Sequence, residues 1–107
     1  MRVSAFIWDE HNSEKCLKHG LSLAQIEDFL LSQPTLMDDE THSDQEPRYI
    51  AFGYYEDRFL FVVFTLRVKD KKLKFRVISA RYARAREIKR LEAYEKAKST
   101  SQKKKDR

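Results

Sequence analysis

Arginine, lysine and tyrosine side chains concentrate in the second half of the sequence. They are the clearest candidates for binding or chemistry. Guanidinium groups bind phosphates bidentately, and tyrosine rings stack on bases. This composition is typical of a surface that binds or cleaves RNA. The alternative is a solvated helix face whose tyrosines pack in the core. The residues concerned are Arg48, Arg67, Lys74, Arg76, Arg81, Arg84, Arg86, Lys89, Tyr49, Tyr54, Tyr55 and Tyr82.

His19 is a second candidate for chemistry. An imidazole can donate or accept a proton near neutral pH, as phosphodiester transesterification requires. A histidine at the end of a helix can equally serve only to favour the helix dipole, and both interpretations stay open. The other histidines are scattered, Cys16 is the single cysteine, and the glycines stand alone, so we expect no metal site and no cofactor.

The charge is distributed unevenly along the 107 residues. The net charge is +5, but residues 1–40 carry −5 and residues 41–107 carry +10. Such asymmetry indicates a face selected for a polyanion such as nucleic acid. The longest apolar run, Phe59 to Leu66, is too short for a membrane helix, and one cysteine excludes an internal disulfide. We expect a small cytoplasmic domain over residues 1–98, followed by a disordered basic tail over 99–107.

A short strand and a first helix must position His19. Residues 5–8 are apolar and aromatic, which predicts a strand. Asp9 or Asn12 can cap the helix that follows. Residues 18–20, Lys-His-Gly, end that helix, because glycine readily takes a positive φ.

A second helix and a connection follow. Ser22 and Gln25 have the spacing of a capping box, which predicts a helix start, and Pro34 ends the helix. Residues 35–47 are acidic and rich in turn formers, so we expect them to form an exposed connection.

Three strands and a basic helix complete the fold. The strands are expected over residues 48–54, 58–67 and 73–80, joined as an antiparallel meander, and the helix over about 83–98. In the last strand, alternation places Phe75, Val77 and Ser79 on the core face, and Arg81 continues that series. The predicted class is α+β, with helices against an antiparallel sheet.

Three segments of the sequence resemble the BrnT toxin family. The first is Trp8-Asp9, Asn12, Lys15 and the run Lys18-His19-Gly20-Leu21-Ser22. The others are Arg48 to Gly53 with the strand Phe59 to Leu66, and Arg76 to Arg81 followed by Glu87. The likeness covers about residues 6–92. The sequence departs from the family at Ala83-Arg84, where members usually place a small hydroxyl residue that caps the last helix.

The resemblance implies a RelE-like ribonuclease fold and the toxin half of a type II toxin–antitoxin pair. Its partner would be a small ribbon-helix-helix antitoxin, which neutralises the toxin and contacts operator DNA, so that the toxin reaches DNA only indirectly. The expected activity is metal-independent RNA cleavage that inhibits translation and arrests growth. The competing hypothesis is an inactive relative that binds protein or nucleic acid without cleaving it.

Metal-free cleavage of RNA needs a base, an acid and cationic donors around the phosphate. Arg81 and Arg48 are the predicted phosphate donors, and His19 could close the site from the other half of the chain. Glu87 is a candidate base, or else it holds Arg81 or Arg84 in place. The predicted RNA-binding residues around this site are Lys18, Lys74, Arg76, Arg84, Arg86 and Lys89.

Overall fold

A computed structural model describes residues 3–17, 19–39 and 46–105, with the backbone alone over 98–105. The α+β prediction is confirmed, with helices and strands that follow the expected order apart from one added strand. The elements are β1 (Ala5–Ile7), α1 (Glu10–Leu17), α2 (Leu23–Leu31), β2 (Thr35–Asp38), β3 (Tyr49–Tyr55), β4 (Arg58–Lys69), β5 (Lys72–Tyr82) and α3 (Ala85–Lys105).

The strands form one mixed sheet in the order β1-β5-β4-β3-β2. The neighbouring pairs β2–β3, β3–β4 and β4–β5 are antiparallel, whereas β1 lies parallel to β5. The expectation of an exposed connection over 35–47 is wrong for Thr35–Asp38, which pair with β3 as an edge strand. Pairing with a neighbouring strand outweighs the weak local preference of so short a segment. Residues 40–45 lie outside the described part of the chain.

The helices cover the two faces of the sheet separately. Residues of α1 and α2, including Cys16, Ile26 and Phe29, form one core with Val62 and Val77. On the other face, Ile88 and Leu91 of α3 pack against Phe52, Phe59 and Phe61. We call these the α1/α2 face and the α3 face. Burial of apolar side chains on both faces stabilises the three layers.

The Asp9-to-Asn12 segment fastens the first helix to the sheet. Asp9 caps α1, since its Oδ1 accepts the Asn12 N–H at 2.9 Å, and Asn12 Oδ1 accepts the Asp9 N–H at 2.7 Å. The buried Asn12 amide also donates to the carbonyls of Ile7 and Val77, at 3.1 and 3.0 Å. These bonds join α1 to β1 and β5. The predicted end of α1 is confirmed by Gly20, at φ +84°.

The second helix starts as predicted. Gln25 N–H donates to Ser22 Oγ at 3.1 Å, and Ser22 N–H donates to Gln25 Oε1 at 2.9 Å. This is the reciprocal capping box that the spacing predicts. The last helix differs from its prediction at both ends, because it begins at Ala85 and continues past residue 98 to Lys105. That residues 99–107 form a tail outside the folded domain stays a prediction.

A β-bulge in β5 changes the expected alternation of its side chains. Val63 pairs with Ser79 and Phe64 pairs with Val77, so Ile78 is an extra residue without a partner on β4. Beyond this point Ala80, rather than Ser79, joins the core of the α1/α2 face. The prediction that Arg81 continues the face of Phe75 and Val77 is therefore wrong, because a bulge shifts the phase of a strand by one residue.

Candidate functional site

Arg81 lies in a bidentate ion pair at the junction of β5 and α3. Its two terminal nitrogens donate to the two carboxylate oxygens of Glu87, each at 2.8 Å. The guanidinium carbon also lies 4.4 Å from the centre of the Phe61 ring, which belongs to the opposite residue on β4. Planar pairing on one side and ring contact on another hold the guanidinium in one orientation.

Glu87 also organises the start of α3. Its Oε1 accepts the N–H of Arg84, the residue before the helix, at 2.9 Å. This is one half of a capping box. It satisfies the backbone N–H of residue 84, which the side chain of residue 84 itself does not reach. The helix therefore starts without the small hydroxyl residue that the family named above usually places near positions 83 and 84.

The same contacts set the protonation of Glu87. Hydrogen bonds from Arg81, with a smaller contribution from the Arg84 N–H, lower the pKa of the carboxyl to about 2. The hydrogen bonds that Arg81 donates to Glu87 raise the pKa of Arg81. A carboxylate with so low a pKa is a weak base, and both of its oxygens are engaged. These contacts favour a positioning role for Glu87 over that of a general base.

A second group of arginines lies further along the sheet. Arg76 donates to Asp9 Oδ2 at 2.7 Å, and Arg67 donates to both oxygens of Glu46, at 3.0 and 3.3 Å. The hydrogen bond from Arg67 is the main cause of the lowered pKa of Glu46, and the nearby charges of Arg48 and Arg76 add to it. Arg48 therefore belongs to this group.

The bulge places both groups on the α3 face. Arg81 lies opposite Phe61 and Arg76 lies opposite Thr65, and these two partners are four residues apart on regular β4. Residues an even number apart on a regular strand share a face, so Arg76 and Arg81 do as well. Arg67 lies two residues after Thr65 on β4 and pairs with Lys74, so Arg67 and Lys74 are on the same face as well. We call the set Arg67, Lys74, Arg76 and Arg81 the arginine face.

The remaining predicted residues lie around this face or away from it. Arg84, Arg86 and Lys89 are exposed at the start of α3, next to Arg81 in the chain. His19 is exposed in the turn between α1 and α2, which cover the opposite side of the sheet. The structure therefore does not place His19 in the layer of Arg81, contrary to the convergence we expected. Lys18 lies outside the described residues.

Several residues of this region were missed by sequence reasoning. Asp9 and Glu46 pair with the arginines, and Arg90 lines a small cleft beside Glu87. Arg90 follows Glu87 by three positions and so shares its side of the helix, which is a signal that could have been used. The distant partners of Arg67 and Arg76 had no comparable local signal.

The tyrosines divide between the two interpretations given above. Tyr49, Tyr55 and Tyr82 pack against the core of the α1/α2 face, whereas Tyr54 is 61% exposed. Most of the tyrosines therefore serve packing. Within the described ranges, no group of three histidine, cysteine, aspartate or glutamate side chains is placed to hold a metal ion.

A family model matches most of the sequence. The model of the ribonuclease toxin BrnT, of the type II toxin–antitoxin systems, matches residues 8–87. The chain belongs to this family. The matched segment of this BrnT family member starts just before Asp9 and ends at Glu87, so it contains both groups of ion pairs. A type II toxin has an antitoxin as its partner.

Two further findings complete the comparison. A search of curated proteins gives no significant match. In the parts of the chain that the structure describes, no helix has the length and apolar character needed to cross a membrane.

Proposed function

We propose that this toxin cleaves RNA on its arginine face, without a metal ion, and that Arg81 binds the scissile phosphate. The observation that carries the proposal is the fixed guanidinium of Arg81, held by Glu87 at 2.8 Å on the same side of the sheet as Lys74 and Arg76. A guanidinium has five N–H donors; the fork to Glu87 uses one on each terminal nitrogen, and the Tyr82 carbonyl accepts another at 3.4 Å. Donors thus remain for a phosphate.

The proposed reaction is a transesterification within the RNA. The 2′-oxygen attacks phosphorus, the bond from phosphorus to the 5′-oxygen breaks, and the products are a 2′,3′-cyclic phosphate and a 5′-hydroxyl. Arg81 stabilises the charge that develops on the phosphoryl oxygens. The proton of the 2′-hydroxyl passes to water, and the leaving 5′-oxygen takes a proton from water. Positioned cations, rather than a strong base, supply most of the rate in this scheme.

The carboxylates on the arginine face act as positioning groups in this scheme. Glu87 holds Arg81, Asp9 holds Arg76 and Glu46 holds Arg67. RNA phosphates bind to guanidinium groups that are already ordered, which reduces the entropy lost on binding. The exposed Arg84 and Arg86 extend the positive surface along the RNA backbone.

The experiment compares Arg81→Ala with Arg58→Ala in cleavage of a defined RNA in the presence of EDTA. Arg58 is a matched control, because its guanidinium also stacks on a ring, that of Tyr82 at 3.7 Å, but on the α1/α2 face. We expect Arg81→Ala to lose roughly a hundredfold in rate, about 3 kcal/mol of transition-state stabilisation. We expect Arg58→Ala to cleave like the wild type.

Thermal melting of both variants shows whether loss of activity reflects unfolding. Equal cleavage by both variants would refute the role of Arg81, and loss of all cleavage in EDTA would refute metal independence. RNA binding without any cleavage by the wild type would support the inactive, binding-only alternative. Binding should weaken steeply with salt, since neutralised phosphates release counterions.

We infer in addition that the antitoxin is a ribbon-helix-helix protein that represses the shared operon. The support is the likeness of this chain to a family whose members have such partners. Growth arrest is the expected effect of the free toxin. Co-expression with the neighbouring gene should restore growth, and an operator-binding assay of the complex tests repression. A neighbouring gene that encodes another class of protein would contradict the inference.

A further inference from the structure

Among the residues that the structure describes, α1 and α2 cover the α1/α2 face of the sheet only in part, and its open end forms an apolar groove. The groove has a volume of about 480 Å³. It extends from Val3, before β1, across β5, β4 and β3 to β2. Its principal lining residues are Leu31, Leu36, Tyr49, Phe64, Leu66 and Phe75.

Large apolar side chains are exposed at this groove. Leu31 is 45% exposed at the end of α2, and Leu36 is 43% exposed on the edge strand β2. Val68, two residues beyond Leu66 on β4 and so on the same face, is 73% exposed. A contiguous apolar surface of this kind costs free energy in water and marks a surface that another molecule covers.

An exposed carboxylate lies beside the groove. Asp38 is exposed two residues after Leu36, on the same face of β2, and lies opposite Tyr49. The sequence contains no lysine or arginine between residues 21 and 47. An occupant that matches this surface has apolar residues on one side and lysine or arginine beside them.

We propose that this groove docks an amphipathic, basic helical segment of the antitoxin. The four strands from β5 to β2 span about 14 Å, which is the length of roughly 10 helical residues. Apolar positions three and four residues apart on such a helix fill the groove, and a flanking cation meets Asp38. The proposal rests on membership of a toxin–antitoxin family and is independent of the RNA cleavage proposed above.

The position of the groove has a direct consequence for the complex. The groove lies on the α1/α2 face, whereas Arg81 and Arg76 lie on the α3 face. An antitoxin helix in the groove therefore leaves the arginine face uncovered by that helix. A separate part of the antitoxin must reach around an edge of the sheet in order to block RNA.

The test measures binding of purified toxin variants to the protein encoded by the neighbouring antitoxin gene, by isothermal titration calorimetry. Leu31→Arg and Leu36→Arg should each weaken binding at least tenfold, because they put a cation into an apolar groove and oppose a basic partner. Leu17→Arg is the matched control. Leu17 is a 49% exposed leucine at the end of α1, outside the groove lining, and its replacement should leave affinity within threefold of the wild type.

Charge complementarity is tested with Asp38→Lys, which should weaken binding several-fold at low salt and less at high salt. Leu31 and Leu36 are partly exposed, and thermal melting of the variants reports whether each is folded. Wild-type affinity in both leucine variants would overturn the proposal. Light scattering of toxin alone gives a further check, since a dimer that Leu36→Arg dissociates would assign the groove to a second copy of the chain.

These outcomes are separable from the proposed activity, because none of them uses RNA. Failure of cleavage with loss of antitoxin binding in the groove variants would overturn the proposed function and leave the docking surface supported. Intact cleavage by the wild type with unchanged antitoxin binding in the groove variants would support the proposed function and overturn the docking surface.

Discussion

Replacing Glu87 with glutamine isolates the charge of the carboxylate that holds Arg81. The amide keeps the size of the side chain and one oxygen acceptor, but it removes the negative charge and one half of the fork. In the folded protein the hydrogen bonds from Arg81 lower the pKa of Glu87 from 4.5 to about 2. The substitution therefore removes a group that is more acidic in the folded state than in the unfolded chain.

The expected magnitude follows from this difference in pKa. If all of it acted on stability it would correspond to about 3 kcal/mol. The side chains of Arg81 and Glu87 are 33% and 23% exposed, so solvent screens the pair. We expect Glu87→Gln to lower the free energy of unfolding by about 1.5 kcal/mol at pH 7. For a domain of this size that is a decrease of roughly 8 °C in Tm.

The sign of the pH dependence is fixed by the lowered pKa. The stabilisation is complete above the unfolded pKa near 4.5 and is lost as the pH falls towards about 2, where the carboxylate protonates in the folded state. The difference in Tm between wild type and Glu87→Gln should thus shrink between pH 4.5 and pH 2.5. Melting curves at pH 7, 4 and 2.5 measure it. A difference that is constant across this range, or absent at pH 7, would refute the reasoning.

Three further predictions concern the scaffold, and each is checked by thermal melting. Asn12→Ala should cost about 3 kcal/mol, because it leaves the carbonyls of Ile7 and Val77 without the buried amide donor; a loss below 1 kcal/mol would contradict that role. Gly20→Ala should cost about 1 kcal/mol through backbone strain, since φ is +84° and, beyond the chain neighbours, no atom of the described residues lies within 4 Å of the added Cβ, and Gly20→Asn should cost less. Deletion of residues 99–107 should change Tm by less than about 3 °C, and a larger decrease would show that the end of α3 contributes to folding.

Local patterns were sufficient to predict the class of fold and most element boundaries. The capping box of Ser22 and Gln25 and the glycine at position 20 act through neighbours in the chain, so their spacing alone indicates where helices start and end. Strand β2 was missed because four residues with alternating burial carry little signal. Their pairing with Tyr49–Phe52 is a property of the tertiary structure.

The candidate site was predictable in composition but not in arrangement. Arg81 and Glu87 are six residues apart, close enough for the suggestion of a contact from sequence, and the structure gives the bidentate pair. The side of the sheet on which Arg81 lies could not be inferred, because no residue type near Ile78 indicates a bulge. The pairing of Arg76 with Asp9 joins positions 67 residues apart, and only folding brings them together.

The extra residue at Ile78 has a consequence for how this site can be inherited or transplanted. Arg76 and Arg81 are five positions apart, and on a regular strand an odd separation puts two side chains on opposite sides. No amino-acid substitution restores their common side if one residue is lost between them. A relative that carries both arginines, but one residue fewer in this stretch, would present them to different partners. For the same reason, anyone who grafts the pair onto another sheet must copy the number of residues between them as well as their identity.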